Sequence, residues 1–250
     1  MEVMVSTEAL RKYFEILSTI CPDAIVHVQK DKMFTRVVDT ADVMMADMAI
    51  PCVTETEWDF GIDTAKMYAT LKNISDASIK VGMDGNKVVI ESKRATYKIT
   101  TLDMRTIKKE PSTPKLDWKA TLAFDVTDLV EGFKAVMVST SKKERQLYTW
   151  FKWDTKQFYI ATTNTLDPIV VTYTEEEVTI NRASEGPCIT ALSLDYLENI
   201  KSFISTFDTC TIGISNDYPM GFLVATEEGY RLAFMIAPRI PPAEEGGCPV

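Results

Sequence analysis

Four stretches of the chain repeat their apolar residues at spacings of three and four, and the segments between them alternate with period two. The first stretch covers about residues 7–20 and sets Leu10, Tyr13, Phe14, Leu17 and Ile20 on one stripe, with Ser6 or Thr7 placed to cap its start. The second covers about 63–74 around Met67, Leu71 and Ile74. The third covers about 127–138 around Leu129, Val130, Phe133, Val136 and Met137, and the fourth about 195–206 around Leu197, Ile200 and Ile204. Each predicts a helix that buries one face. Alternation at 25–28, 34–38, 79–81, 87–90, 97–100, 158–160, 169–173 and 211–214 predicts strands, and Met83-Asp84-Gly85-Asn86 has the chemistry of a tight hairpin turn.

The order of these elements repeats. In each half a strand leads into a helix, several strands follow, a second helix appears, and further strands close the unit. The first helices of the halves lie roughly 120 residues apart and the second helices roughly 130. Between the halves runs Lys108-Lys109-Glu110-Pro111-Ser112-Thr113-Pro114-Lys115, charged, with two prolines and no period. The expectation is an α+β protein of two similar domains, 1–107 and 118–240, joined by a connector at 108–117 and followed by a flexible tail at 241–250.

Composition narrows the function. With 250 residues, 46% of them hydrophobic and 25% charged, the chain can bury a sizeable core. No apolar run approaches the roughly 18 residues of a membrane span, and the N-terminus lacks the pattern of a signal peptide, so an intracellular protein without a membrane partner is expected. The five cysteines are scattered and odd in number, which suits reduced thiols and argues against a zinc site. No phosphate-cradling glycine loop or His/Cys metal cluster is present, so neither cofactor nor metal is expected. His27 is the single histidine, and alternation places it opposite Val26 and Val28, near solvent, where it reads as incidental. The pair Asp39/Asp42 reads as turn chemistry rather than an acid–base pair. A catalytic residue is therefore not assigned; an unrelated α+β hydrolase would need a buried polar cluster that the sequence does not display.

The net charge of −9 argues against a protein that coats nucleic acid, unless basic residues gather on one surface. Arg11 and Lys12 stand opposite the first apolar stripe, Lys72 follows the second, and Lys134 lies off the third. Lys142, Lys143 and Arg145 cluster just beyond it, and Lys201 is on the fourth helix. Acids concentrate elsewhere, at Glu175-Glu176-Glu177, Glu227-Glu228 and Glu244-Glu245. Such cations equally serve as the solvated faces of amphipathic helices.

Four motifs in order carry a resemblance. They are Val37-Val38-Asp39-Thr40-Ala41-Asp42-Val43, Ser193-Leu194-Asp195-Tyr196-Leu197, Asn216-Asp217-Tyr218-Pro219-Met220, and Leu232-Ala233-Phe234-Met235-Ile236-Ala237-Pro238-Arg239-Ile240. On these the chain resembles the proliferating cell nuclear antigen family of DNA sliding clamps, its archaeal members above all, over about residues 1–240. The resemblance implies the DNA-clamp (processivity) fold, with three subunits in a closed ring, helices lining the hole and sheets outside. It implies that the basic residues named above face duplex DNA without reading its sequence, Arg11, Lys12, Lys72 and Lys134 matching most directly. It implies that Thr96, Tyr97, Lys98, Ile99 and Thr100 pair with Ile169, Val170, Val171, Thr172 and Tyr173 of a neighbouring subunit. It further implies that Val38, Val43, Pro111, Pro114, Pro219, Met235, Ala237 and Pro238 receive short docking peptides with one aliphatic and two aromatic anchors. Departures from the family are Thr113, where a larger aliphatic is common, Met235, where some relatives carry Tyr, and Ser202, an inward position of the fourth helix where relatives often carry Lys. Trp118 is expected to pack the connector against the second domain. The partners implied are double-stranded DNA, DNA polymerase, clamp loader, flap endonuclease, DNA ligase and the chain itself as a homotrimer. The compartment would be the cytoplasm of an archaeon or the nucleus of a eukaryote. A subunit of a heterotrimeric or checkpoint-type clamp is the alternative.

Overall fold

The helices form where the apolar stripes place them, because each stripe closes over strands that alternate inward and outward. The computed structural model describes residues 1–112, 115–138, 146–162, 168–186, 188–216 and 218–239. The chain divides into two units, Met1–Thr113 with Thr226–Leu232, and Pro114–Ala225 with Ala233–Val250.

The first unit contains β1 (Glu2–Ser6), α1 (Thr7–Ile20), β2 (Asp23–Val28), β3 (Lys32–Val38), β4 (Met44–Pro51), β5 (Trp58–Asp63), α2 (Thr64–Leu71), β6 (Ser78–Asp84), β7 (Lys87–Glu91) and β8 (Thr96–Thr100). Its strands run antiparallel in two sets, β1-β6-β7-β8 and β5-β2-β3-β4. Ser6 caps α1, its hydroxyl accepting from the Ala9 N–H at 3.3 Å, and the whole predicted stripe is buried. Asp63 caps α2 in the same way, accepting from the Lys66 N–H at 2.8 Å. The second helix stops at Leu71, short of the expected end. The next N–H groups, of Asn73 and Ile74, bond to carbonyls three residues back and tighten the chain into a turn. Phe14 is fully buried on the stripe, and truncating it to alanine would cost about 3–5 kcal/mol.

The second unit repeats the order with β9 (Ala120–Asp125), α3 (Val126–Val138), β10 (Gln146–Lys152), β11 (Gln157–Thr162), β12 (Val170–Tyr173), β13 (Val178–Ala183), β14 (Cys188–Ser193), α4 (Leu194–Ile204), β15 (Thr209–Ile214), β16 (Met220–Ala225) and β17 (Arg231–Ile236), whose last four residues belong to this unit. Its strand runs are β12-β11-β10-β14 and β13-β9-β15-β16. Strand β10 has no alternation to read, because Leu147 through Phe151 are buried on both faces. The side facing away from the main core carries its own cluster. There Trp150 stacks on Tyr159 with ring centroids 4.8 Å apart, beside Tyr148, Ala161 and Ala191.

Cys21, Cys52, Cys188 and Cys210 are free and buried. Burial pushes the thiols of Cys21 and Cys210 up to about 12 and that of Cys52 to about 11, so they pack as small apolar groups rather than as nucleophiles. No helix of the described residues is long and apolar enough to cross a membrane.

Candidate functional site

The basic residues fall on two separately folded helix pairs. In the first unit, Lys12 and Lys72 belong to one line of contacts. Lys12 Nζ lies 3.8 Å from Glu15, Glu15 accepts from the Tyr68 hydroxyl at 2.9 Å, and Lys72 Nζ sits 5.4 Å from the Tyr68 ring centroid. Lys72 is exposed and Lys12 half-buried, and both are held by contacts of the weak surface kind. Arg11 is different. Its guanidinium donates to the carbonyl of Ile74 at 2.6 Å and of Leu71 at 3.4 Å, in the turn that closes α2. It is a brace between α1 and α2 as well as a positive charge. In the second unit Lys134 is exposed on α3, while Lys201 of α4 leans back so that Nζ lies 3.6 Å from Met137 Sδ. Ser202 is exposed beside it. Lys142, Lys143 and Arg145 lie outside the described residues.

The residues assigned to peptide docking divide between the units. Val38, Val43 and Pro111 are half-buried in the first; Pro219, Met235, Ala237 and Pro238 are half-buried in the second; Thr113 and Pro114 lie outside the described residues. The turn holding Val38 and Val43 is built by Asp39. Its buried carboxylate accepts from the N–H of Val43 at 2.8 Å and of Met44 at 2.9 Å, and Asp42 takes φ +58°. These carboxylates are structural, as their spacing suggested.

The connector leaves the first unit under two ties. Lys108 Nζ donates to the Asp39 carbonyl at 2.9 Å and to Asp42 at 2.7 Å, and Glu110 meets His27 at 2.9 Å. His27 is therefore not incidental, contrary to the reading from alternation. It is half-buried, and its other nitrogen faces Asp59 at 2.7 Å. Beside this tie lies a groove of about 330 Å³ lined by Ile25, Arg36, Val38, Ile107, Lys108 and Glu110. In the second unit Trp118 lies flat across Gly213 and Gly221, paired residues of β15 and β16, and donates its indole N–H to the Pro219 carbonyl at 2.8 Å. A Cβ on either glycine would collide with the ring. This is the anchoring role expected of Trp118, and it fixes the position of Pro219.

Strands β8 and β12 stand at the ends of their sheets. The opposite ends are engaged within their own units. Met4 of β1 exchanges backbone bonds with Val53 at 3.2 and 3.3 Å, and the Ala191 carbonyl of β14 accepts from the Arg239 N–H at 2.8 Å. On β8, Thr96, Lys98 and Thr100 are exposed, Tyr97 is half-buried and Ile99 is buried. On β12, Val170 and Thr172 are exposed, Val171 is half-buried, and Tyr173 is buried under α3, where its hydroxyl donates to the Asp128 carbonyl at 3.0 Å. Ile169 precedes β12 and still bonds β11, its carbonyl accepting from the Thr162 N–H at 3.1 Å. Among the described residues, β8 and β12 thus each pair with a strand on one side only, as does β13 at the end of its own sheet. Such an edge invites strand addition.

No family model matches the chain. In sequence it is 24% identical over 251 residues to a DNA polymerase sliding clamp of Methanospirillum hungatei and 25% identical over 254 residues to one of Methanoregula boonei. Both matches span 96% of this chain and 98% of the relative. In structure it superposes with TM-score 0.85 on the A. fulgidus PCNA solved with the C-terminal region of FEN-1, at 22% identity, covering 96% of this chain and 99% of that one. A second neighbour, PCNA of Thermococcus kodakaraensis, gives TM-score 0.80 at 18% identity, covering 95% and 99%. The fold is the two-domain α+β clamp fold.

Proposed function

We infer that this chain belongs to the proliferating cell nuclear antigen family of DNA sliding clamps and acts as a ring subunit that encircles duplex DNA. It serves there as processivity factor for a DNA polymerase and as a docking platform for replication and repair enzymes. The observation that carries this reading is the pair of open strand edges, β8 and β12, in a chain that matches archaeal sliding clamps over nearly its whole length. An edge strand on each unit lets identical subunits join head to tail, a heterologous contact that closes into a ring. Three subunits are proposed, with β8 of one pairing with β12 of the next.

DNA would be held through phosphate contacts from Lys12, Lys72 and Lys134, with Arg11, Lys142, Lys143, Arg145 and Lys201 as further members of the set. Such contacts carry no base information and leave the ring free to slide. The docking residues of both units are proposed to receive peptides from polymerase, clamp loader, flap endonuclease and ligase. The A. fulgidus neighbour, solved with the C-terminal region of FEN-1, supports that proposal. No catalytic role is assigned to the chain.

Light scattering on the purified protein at micromolar concentration tests the ring. The expected mass is three times that of the chain. A stable monomer that closes a ring only with paralogues would overturn the homotrimer and favour the heterotrimeric or checkpoint-type alternative.

A further inference from the structure

His27 is enclosed by carboxylates on both sides. Nδ1 lies 2.7 Å from Asp59 Oδ1 on β5, and Nε2 lies 2.9 Å from Glu110 Oε1 in the connector. Ionised carboxylate oxygens only accept, so both ring nitrogens have to donate. A neutral imidazole carries a proton on one nitrogen alone, whereas the imidazolium carries one on each. The ring is held in plane by stacking on Phe34 of β3, with centroids 4.8 Å apart, and Lys32 of the same strand sits over Phe34. The charged groups around His27 are therefore Asp59 from β5, Glu110 from the connector and Lys32 from β3.

Burial opposes protonation of His27. The hydrogen bonds and charges of Asp59 and Glu110 outweigh it and raise the group above its ordinary value of 6.5. Glu110 is the last charged residue before Pro111, and it lines the same groove as Val38, so its position sets where the connector begins. The other tie runs from Lys108 Nζ to Asp42 and the Asp39 carbonyl and contains no imidazole. Of the two ties, only the one through His27 turns on an imidazole.

We propose that His27 is a positioning residue for peptide docking: as the imidazolium it clamps Glu110 and holds the start of the connector against β2 and β5, and on losing its proton it releases that segment. The proposal rests on the docking reading above, since it acts on a wall that the reading assigns to the peptide. A histidine raised on folding contributes its tie fully below its ordinary value and loses it as pH rises through the raised one. A pre-placed connector spares the peptide the work of ordering it, so docking tightens as pH falls through that window.

Two measurements on the full-length protein test this. Because His27 is the sole histidine, its Cε1–H resonance can be titrated by NMR without ambiguity between about pH 5 and 9. The midpoint should lie above the ordinary value, the Glu110 amide should move with the same midpoint, and Glu110→Gln should lower it. A midpoint at or below the ordinary value, or one indifferent to Glu110→Gln, would overturn the clamp. The second arm measures affinity over the same range for a short peptide with one aliphatic and two aromatic anchors and no group titrating there. Binding should be roughly fivefold tighter at the acid end, and His27→Gln should flatten the profile while the protein stays folded and trimeric. A flat wild-type profile with normal binding would overturn the positioning role. Absence of binding at every pH would sink the docking reading and the positioning role together, leaving the His27–Glu110 clamp to stand or fall on the NMR arm.

Discussion

In the first unit Arg11 of α1 donates to the carbonyls at the end of α2, and Tyr68 of α2 donates back to Glu15 of α1. In the second unit a polar contact between α3 and α4 is softer, a lysine ammonium against a methionine sulfur. The charges differ in the same sense. Helices α1 and α2, with the cap residues Asp63 and Lys72, carry Arg11, Lys12, Lys66 and Lys72 against Glu8, Glu15 and Asp63. Helices α3 and α4 carry Lys134 and Lys201 against Asp128, Glu131, Asp195 and Glu198. One repeated order of elements therefore supports a cross-braced, net basic pair and a net acidic one. The net positive charge, among these helices, belongs to the first unit. The lesson is that a cation on the solvated side of a stripe can be structural, electrostatic or both, and only its partners tell which.

Five substitutions test that contrast, from the largest effect down. Gly132→Val places a branched side chain where α3 meets the Tyr173 hydroxyl. It should cost about 3 kcal/mol or more in denaturant unfolding. It should also lower the trimer fraction by unseating β12, whereas a substitution of the exposed Lys66 should do neither. Arg11→Met removes both hydrogen bonds to α2 and should cost about 1–3 kcal/mol in the same measurement. Lys201→Met should stay within about 0.5 kcal/mol, since it removes only a sulfur contact. The smallest effects lie in DNA retention on closed circles. Lys72→Ala should lower the slope of log retention against log salt by about 1, and Lys201→Ala, whose ammonium leans onto Met137, should lower it by less. Equal slopes for the two variants would erase the distinction between the helix pairs.

Legibility of the fold followed burial geometry. The stripe of α1 could be read residue by residue because one face is buried and the other solvated, and its bounds came out as Thr7–Ile20. Strand β10 could not, since Tyr148 and Trp150 are buried on the face that alternation would leave polar. The end of α2 escaped because Ile74 remains buried after the helix has tightened into a turn. Trp118 was legible as an anchor from its place beside the connector. Its seat was not, although Gly213 and Gly221 inside apolar strands were a signal that something packs close to the backbone.

By itself the sequence determined the repeated order of elements, the four helix stripes, the turn at Asp39 and the presence of basic residues on an otherwise acidic chain. These follow from local periods and from side chains bonding their own backbone neighbours, interactions that span a few residues. Only the tertiary structure decided that Arg11 braces a helix some 60 residues away, that β8 and β12 keep open edges, and that His27 lies between Asp59 and Glu110, 32 and 83 residues distant. The reason is physical. Hydrogen bonds and ion pairs between distant segments depend on distances that folding sets, and a sequence pattern carries no distance between strands until the sheet has formed.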